Sequence, residues 1–439
     1  MKRACLCAAL VCCFFILPIY AAENRGESLE DFFSAALEFS TRLRLAEEQM
    51  NIGAARRRAA SGQFLPQISA NASNNENRRR TRFNLDEFHG ERYSLVLSQQ
   101  LLNWQASAAR KRSTAEERQA EAGYYFELAF TLTDVADKYF LVLQAQDALE
   151  SINQELEAVN AQLEQVESLY AVQQAQITDL RQTQASLSSV EAQRIRLESE
   201  LALAEESLRS VSGLDVGQLY TLRENVTIPA VENSVQYWVR LARESNQQIR
   251  AQRYAVEAAE QGVAEQEGAY LPSVRFVAQR QDSNLGFDNI QQQNAETTFI
   301  GFDVTVPIYS GGVRKAQVDE ARSRKNMAEI ELEEVELLAG ERVRSAYLQV
   351  RASESITAAA QALVESTTVS AEAMQEGFEL GMVTTVDVLN AVRDRYQAER
   401  DLQQARYEHI RQLLLLRLEA GVLEADDMME VGSWLQAPQ

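Results

Sequence analysis

Apolar residues recur along this chain with two different periods, and the switches between them mark out its elements. In 298–308, Ile300, Phe302, Val304, Val306 and Ile308 share one face, while Gly301, Asp303 and Thr305 share the other. The same period of two runs through 93–101, with Tyr93, Leu95, Leu97 and Leu101 against Ser94, Ser98 and Gln100. It returns in 67–74, and in 273–281, where Val277 interrupts it. Side chains alternate across a strand, so these four runs predict strands. Elsewhere the spacing lengthens. Val142, Ala145, Leu149, Ile152, Leu156, Val159, Leu163, Val166 and Tyr170 lie alternately three and four apart. Leu180 to Leu201 keeps that alternation with polar Thr183 and Arg194 in it, and Ile356, Ala360, Leu363, Thr367, Ser370, Met374 and Phe378 nearly keep it. These are narrow seams of the coiled-coil kind, not the broad apolar faces of globular helices. Trp104 to Tyr170 contains no proline and one glycine, Gly123. A helix of that length is on the order of 100 Å long.

The elements come in two sets. Phe64-Leu65-Pro66 matches Tyr270-Leu271-Pro272 at an offset of 206, and Ser28 and Phe32 match Ser234 and Trp238. Leu101-Leu102 matches Ile308-Tyr309, and Ile177-Thr178-Asp179-Leu180 matches Thr385-Val386-Asp387-Val388. Leu208–Gly213 matches Leu416–Gly421, where a left-handed glycine ends each half. Five matches in order predict an internal duplication. The expected division is a leader over 1–22, a first repeat over 23–213, a linker over 214–233, a second repeat over 234–421 and a tail over 422–439. Each repeat reads helix, strand, strand, long helices.

Composition narrows the function. Lys2 and Arg3 precede an apolar run from Ala4 to about Tyr20, and Ala21-Ala22 then meets a polar stretch, the layout of a secretory signal peptide. Tyr20 leaves the cut site open, and an N-terminal anchor is the other reading. Cys5, Cys7, Cys12 and Cys13 all fall in this leader, so the mature chain has no cysteine. The net charge of -21 argues against nucleic acid as a partner. His89 and His409 are the only histidines, and neither a phosphate-binding glycine loop nor a metal-spaced set is present, so an enzyme and a bound cofactor are not expected.

Alternating strands of this length suit an outer-membrane barrel or a half-buried soluble sheet. Four strands cannot close a barrel, and an open edge cannot face lipid. If they span a membrane, several copies must share one barrel, and three copies supply 12 strands. Long helices with narrow seams can close into a tube in the same way.

At this point the chain resembles the TolC family of outer-membrane efflux and secretion channels. The resemblance rests on Phe64-Leu65-Pro66 and Tyr270-Leu271-Pro272, on Val306 to Gly312 (VPIYSGG), on Met374 to Gly381 (MQEGFELG) and on Thr385 to Ala391 (TVDVLNA). It implies a mainly α fold with a membrane β part. The homotrimer would share a 12-stranded barrel in the outer membrane, with a helical tube reaching across the periplasm. It also implies a periplasmic adaptor and a proton-driven or ABC-type inner-membrane pump, with outer-membrane lipid around the barrel. The closed end of the tube is expected at the turns near 171–177 and 379–385, with Gln173, Gln174, Gly381 and Met382 at the docking tip. Asp387 matches an acidic pore ring. Asn390 stands where a second acid would be, which weakens cation selectivity. Thr178 and Asp179 match latch positions. Phe378 matches a Tyr and cannot supply its hydroxyl, Val383 replaces a basic latch residue, and the first-half turn lacks the usual glycine. Asp387 also reads as a helix-start residue after Thr384, and the two roles are compatible. Asp303 is expected to face a lumen. Phe64, Trp104, Tyr270 and Tyr309 are expected at the membrane interface or packed under a sheet, and Arg78 to Arg82 in the first strand-connecting loop. The alternative is a structural periplasmic coiled-coil protein without a pore.

Overall fold

Ser40 and Asn246 explain how each repeat begins. Both are 206 residues apart, and both interrupt what the sequence pattern reads as one helix. The Ser40 hydroxyl accepts the Leu43 N–H at 3.3 Å, and the Asn246 side chain accepts from Gln248 and Ile249. Each residue therefore ends one helix and starts the next at an angle. The computed structural model describes residues 25–80, 82, 85–223, 226–285 and 290–437. The expected leader, 1–22, and Thr81 lie outside the described residues.

The first repeat runs β1 (Arg25–Gly26), α1 (Leu29–Phe39), α2 (Thr41–Gly62), β2 (Gln67–Arg80), β3 (Leu85–Leu102), α3 (Trp104–Ala171) and α4 (Ile177–Ser212). Short strands β4 (Asp215–Val216) and β5 (Thr221–Leu222) cross to the second repeat. That repeat is α5 (Val235–Ser245), α6 (Gln247–Gly268), β6 (Ser273–Leu285), β7 (Gln291–Thr305), α7 (Val313–Glu379) and α8 (Thr385–Ala420). The chain closes with α9 (Ala425–Ser433) and β8 (Leu435–Gln436). The duplication is visible element by element. Helices α3 and α7 have 68 and 67 residues, and α4 and α8 have 36 each. Gly213 and Gly421 close the last two with φ of 72° and 71°. A Cβ on Gly213 would meet the ring of Phe39 at 2.6 Å, so the cap also lets α1 approach.

The four long strands form one antiparallel sheet in the order β2-β3-β6-β7. Register places Ile68, Leu97, Ala278 and Ile300 in one row across it. Leu95, Phe276, Phe302 and Val304 fall on the same face, which is uncovered: Ile300 and Phe302 are 68% and 66% exposed. The opposite face carries Ser98, Gln100, Arg275 and Asp303, with Asp303 directly across from Arg275. The strands are longer than the alternation predicts, at 14, 18, 13 and 15 residues. Arg78, Arg79 and Arg80 therefore belong to β2, not to the loop after it. Cross-strand charge extends the ladder there: Arg78 pairs with Glu87 at 2.6 Å, and Arg79 lies opposite Asp86. Strand β7 ends at Thr305, short of Ile308, because Pro307 has no N–H to give the ladder.

The main core sits halfway along the helices. Phe32, Val135, Tyr139, Phe140, Leu143, Tyr407, Ile410 and Leu414 pack there under α9 and the β5–β8 pair. The Tyr139 hydroxyl donates to the carbonyls of Glu27 at 3.1 Å and Tyr220 at 2.9 Å, tying the linker to α3. Arg417 holds Asp427 of α9 at 2.6 Å. The result is a girdle around the waist of a long helical bundle, with the sheet at one end and two helix–helix turns at the other.

Candidate functional site: the helical tip

The two tip turns share one backbone solution. At the end of α3 the Gln174 N–H donates to Leu169 O at 2.8 Å, and at the end of α7 the Met382 N–H donates to Gly377 O at 2.8 Å. The residue before each donor is left-handed: Gln173 at φ 63° and Gly381 at φ 71°. This is the six-to-one bond of a Schellman cap. The first-half turn thus keeps the glycine geometry without the glycine, at a conformational cost that falls on Gln173. Gln173, Gln174, Gly381 and Met382 are all exposed at the end of the bundle.

Each following helix opens on a reciprocal cap. Gln176 starts α4, and Asp179 accepts the Gln176 N–H at 3.1 Å. Thr384 starts α8: Asp387 Oδ2 accepts the Thr384 N–H at 2.9 Å and the Thr384 hydroxyl at 2.7 Å. The Thr384 hydroxyl and then its N–H hold the Asp387 carboxyl below the ordinary aspartate range. Asp387 stays charged, and it stays exposed. Asn390, three residues on and also exposed, shares its face, while Thr385, Val388 and Leu389 turn inward.

The expected latch residues each bond inside their own turn. The Thr178 hydroxyl donates to Gln176 Oε1 at 3.3 Å, and Asp179 is occupied by the cap. Phe378 is half-buried in the last turn of α7. Val383 lies against Gly377, where an added Cβ would sit 3.3 Å from its methyl carbon. A valine thus packs in the turn at the position where the resemblance implies a basic group.

What sequence reading missed lies on the seam between α3 and α8. Arg400 Nη1 meets Glu155 Oε2 at 2.8 Å, with side chains only 9% and 2% exposed. The Tyr407 hydroxyl donates to Asp147 Oδ2 at 2.6 Å, and Arg411 Nε meets Asp137 Oδ1 at 2.5 Å. Burial raises the Glu155 carboxyl above its usual range despite Arg400, and raises that of Asp147 despite Tyr407. Closer to the tip, Leu389 joins Ile152, Val159 and Val190 in one apolar cluster spanning α3, α4 and α8. These contacts fasten the second repeat's inner helix to the first repeat. The only sequence signal was a charged residue beside an apolar seam, and its partner is 245 residues away.

Comparison with known proteins agrees with this architecture. The family model described as outer membrane efflux protein matches residues 33–214 and 238–422, one match per repeat. The outer membrane protein TolC of Vibrio cholerae is 28% identical over 444 residues, covering 96% of this chain and 98% of its own. The protease secretion protein PrtF of Dickeya chrysanthemi is 26% identical, covering 96% and 94%. The crystal structure of the Campylobacter jejuni CmeC outer membrane channel superposes with a TM-score of 0.77 at 17% identity, covering 93% of this chain and 90% of that one.

Proposed function

Because the chain belongs to the outer membrane efflux protein family, we propose that three copies close into one outer-membrane exit duct, serving an efflux pump or a type I secretion system. The observation that carries this reading is the four-stranded sheet with an uncovered apolar face and two open edges, β2 and β7. Lipid gives unpaired backbone groups no partner, so edges at that depth must pair with other copies. Three sheets supply the strands of a barrel with a lumen. The helices repeat the argument. On α7 the seam residues Ile356 and Leu363 are 58% and 48% exposed in one chain, and Ile195 and Leu203 of α4 are likewise bare. By the pseudo-symmetry of the repeats, α7 of one copy meets α4 of the next, as α8 meets α3 within a copy.

In this assembly the polar sheet face, with Asp303 and Arg275, lines the barrel. Asp387 from three copies forms a ring of three carboxylates at the narrow tip, and Asn390 beside it adds no charge. Such a ring lowers the energy of a passing cation and raises that of an anion. The duct itself drives nothing. An inner-membrane pump supplies the energy, and a periplasmic adaptor docks on the tip at Gln173, Gln174, Gly381 and Met382.

The test is site-specific photocrosslinking from Gln174 and Met382 in the native host, on a trimer extracted from outer membranes. Capture of an adaptor with its pump is the expected result. A monomer on extraction overturns the shared barrel. A trimer whose tip crosslinks only to itself under pump-inducing conditions overturns docking there.

A further inference from the structure

The helical turns next to the sheet carry a charge balance opposite to that of the whole chain. Residues 50–62, 104–118, 254–268 and 313–325 contain twelve bases against eight acids, in a protein of net charge -21. Every one of those acids is in an ion pair, among them Glu117 with Arg57, Glu257 with Arg118 at 3.7 Å, Glu267 with Arg322 at 3.0 Å and Glu260 with Lys325 at 3.2 Å. Among the described residues Arg56, Arg58, Arg110, Lys111, Arg314 and Lys315 have no acidic partner.

Three of these bases share one side of the wall. A groove lined by Arg112, Glu116, Gln266, Gln317, Glu320 and Arg324 spans α3, α6 and α7 on one side of that helical layer. At about 100° per residue, Arg110 and Lys111 point about 100–160° away from Arg112 and Glu116. Lys315 points a similar angle away from Gln317, Glu320 and Arg324. All three are exposed, on the side away from the groove. Their depth is also fixed. Lys111 lies seven residues below exposed Trp104, and Lys315 six residues below exposed Tyr309. The aromatic belt marks headgroup level; at about 1.5 Å per helical residue Lys111 lies on the order of 10 Å below it, on the periplasmic side, and Lys315, the third residue of α7, lies closer.

From this placement we infer that Arg110, Lys111 and Lys315 form a collar, repeated around the trimer, that binds the phosphates of anionic phospholipids in the periplasmic leaflet. This rests on the reading of the chain as a trimeric membrane duct. The acids that would otherwise neutralise the collar are already committed to other bases. Its distance from the membrane is about one screening length, so attraction to the surface survives physiological salt. Lysine and arginine at such a depth each strengthen attraction to an anionic surface.

The test uses the purified full-length trimer in nanodiscs of phosphatidylethanolamine with phosphatidylglycerol. Native mass spectrometry counts the lipids that stay bound. The wild type is expected to retain phosphatidylglycerol well above its share of the mixture. The R110Q/K111Q/K315Q variant should lose this preference, by about fivefold in retention per base removed. The charge-keeping variant R110K/K111R/K315R should retain it. Wild-type enrichment in the R110Q/K111Q/K315Q variant overturns the collar. So does a variant that keeps its lipid preference and instead loses capture of an acidic periplasmic protein. A chain that never forms a trimer fails earlier, at extraction, and sinks the duct reading rather than the collar alone.

Discussion

Removing Glu155 alone should do more harm than removing Glu155 and Arg400 together. The two side chains are 2% and 9% exposed and meet at 2.8 Å. Without Glu155, the Arg400 guanidinium keeps the Ser151 hydroxyl at 3.5 Å and its own-helix neighbour Gln397 at 3.1 Å. Neither neutralises a buried charge. Breaking a buried pair from one side typically costs about 3–5 kcal/mol, whereas replacing both partners with apolar groups of similar volume is about neutral or stabilising. Glu155→Leu and Arg400→Met should each loosen α8 from α3 by about 3 kcal/mol or more, and the double variant should return to within about 1 kcal/mol of wild type. Amide hydrogen exchange across Gln397–Arg406 in the purified trimer reads this directly. Three kcal/mol of local opening corresponds to roughly a hundredfold faster exchange in either single variant. The same variants should open the tip and raise single-channel conductance. A double variant that exchanges as fast as the singles would refute the argument, because packing and not charge pairing would then hold the seam.

Four further outcomes follow from the tip and the seam. Glu155 and Asp147 have folded pKa values raised by burial, so their contribution to stability is fully present below the unfolded carboxylate range and fades as pH rises through the folded values. Exchange at α8, corrected for its intrinsic pH dependence, should therefore slow as pH is lowered through the folded values of these two carboxyls. Asp387 is shifted the other way, so its cap is intact above the ordinary aspartate range and is lost only in stronger acid, and cation selectivity should persist unchanged over that same interval. Asp387→Asn keeps an acceptor for the Thr384 N–H but removes the charge, so reversal potentials should lose cation preference with little change in melting temperature. Gln173→Gly relieves a left-handed glutamine and should stabilise the first tip turn by up to about 1 kcal/mol, seen as slower exchange at Gln174.

Most of the fold was readable because it obeys local rules twice. The strands, the long helices, the glycine stops and the cap at Asp387 all depend on residues within one or two turns. What could not be read depends on distant partners. The upper half of the β2–β3 hairpin has no apolar alternation, since it rises beyond the apolar band, and Arg78 finds Glu87 only once the register is known. The breaks at Ser40 and Asn246 carried a weak signal, a capping residue at matched positions in both repeats. The seam of Glu155, Asp147 and Asp137 joins residues 245 to 274 apart, and no spacing in either repeat announces it.

The two open edges of the sheet also have a genetic meaning. In the proposed trimer, a chain that cannot finish its own barrel shares the fate of its neighbours: one copy with a damaged β2 or β7 leaves a gap in all three. If a cell makes intact and edge-damaged chains in equal amounts and they mix freely, only about one trimer in eight is wholly intact. Lesions at Ile68 or Ile300 that block edge pairing but spare trimer contacts along the helices should therefore be dominant over the wild-type allele. Lesions that prevent the chain from joining a trimer at all should be recessive.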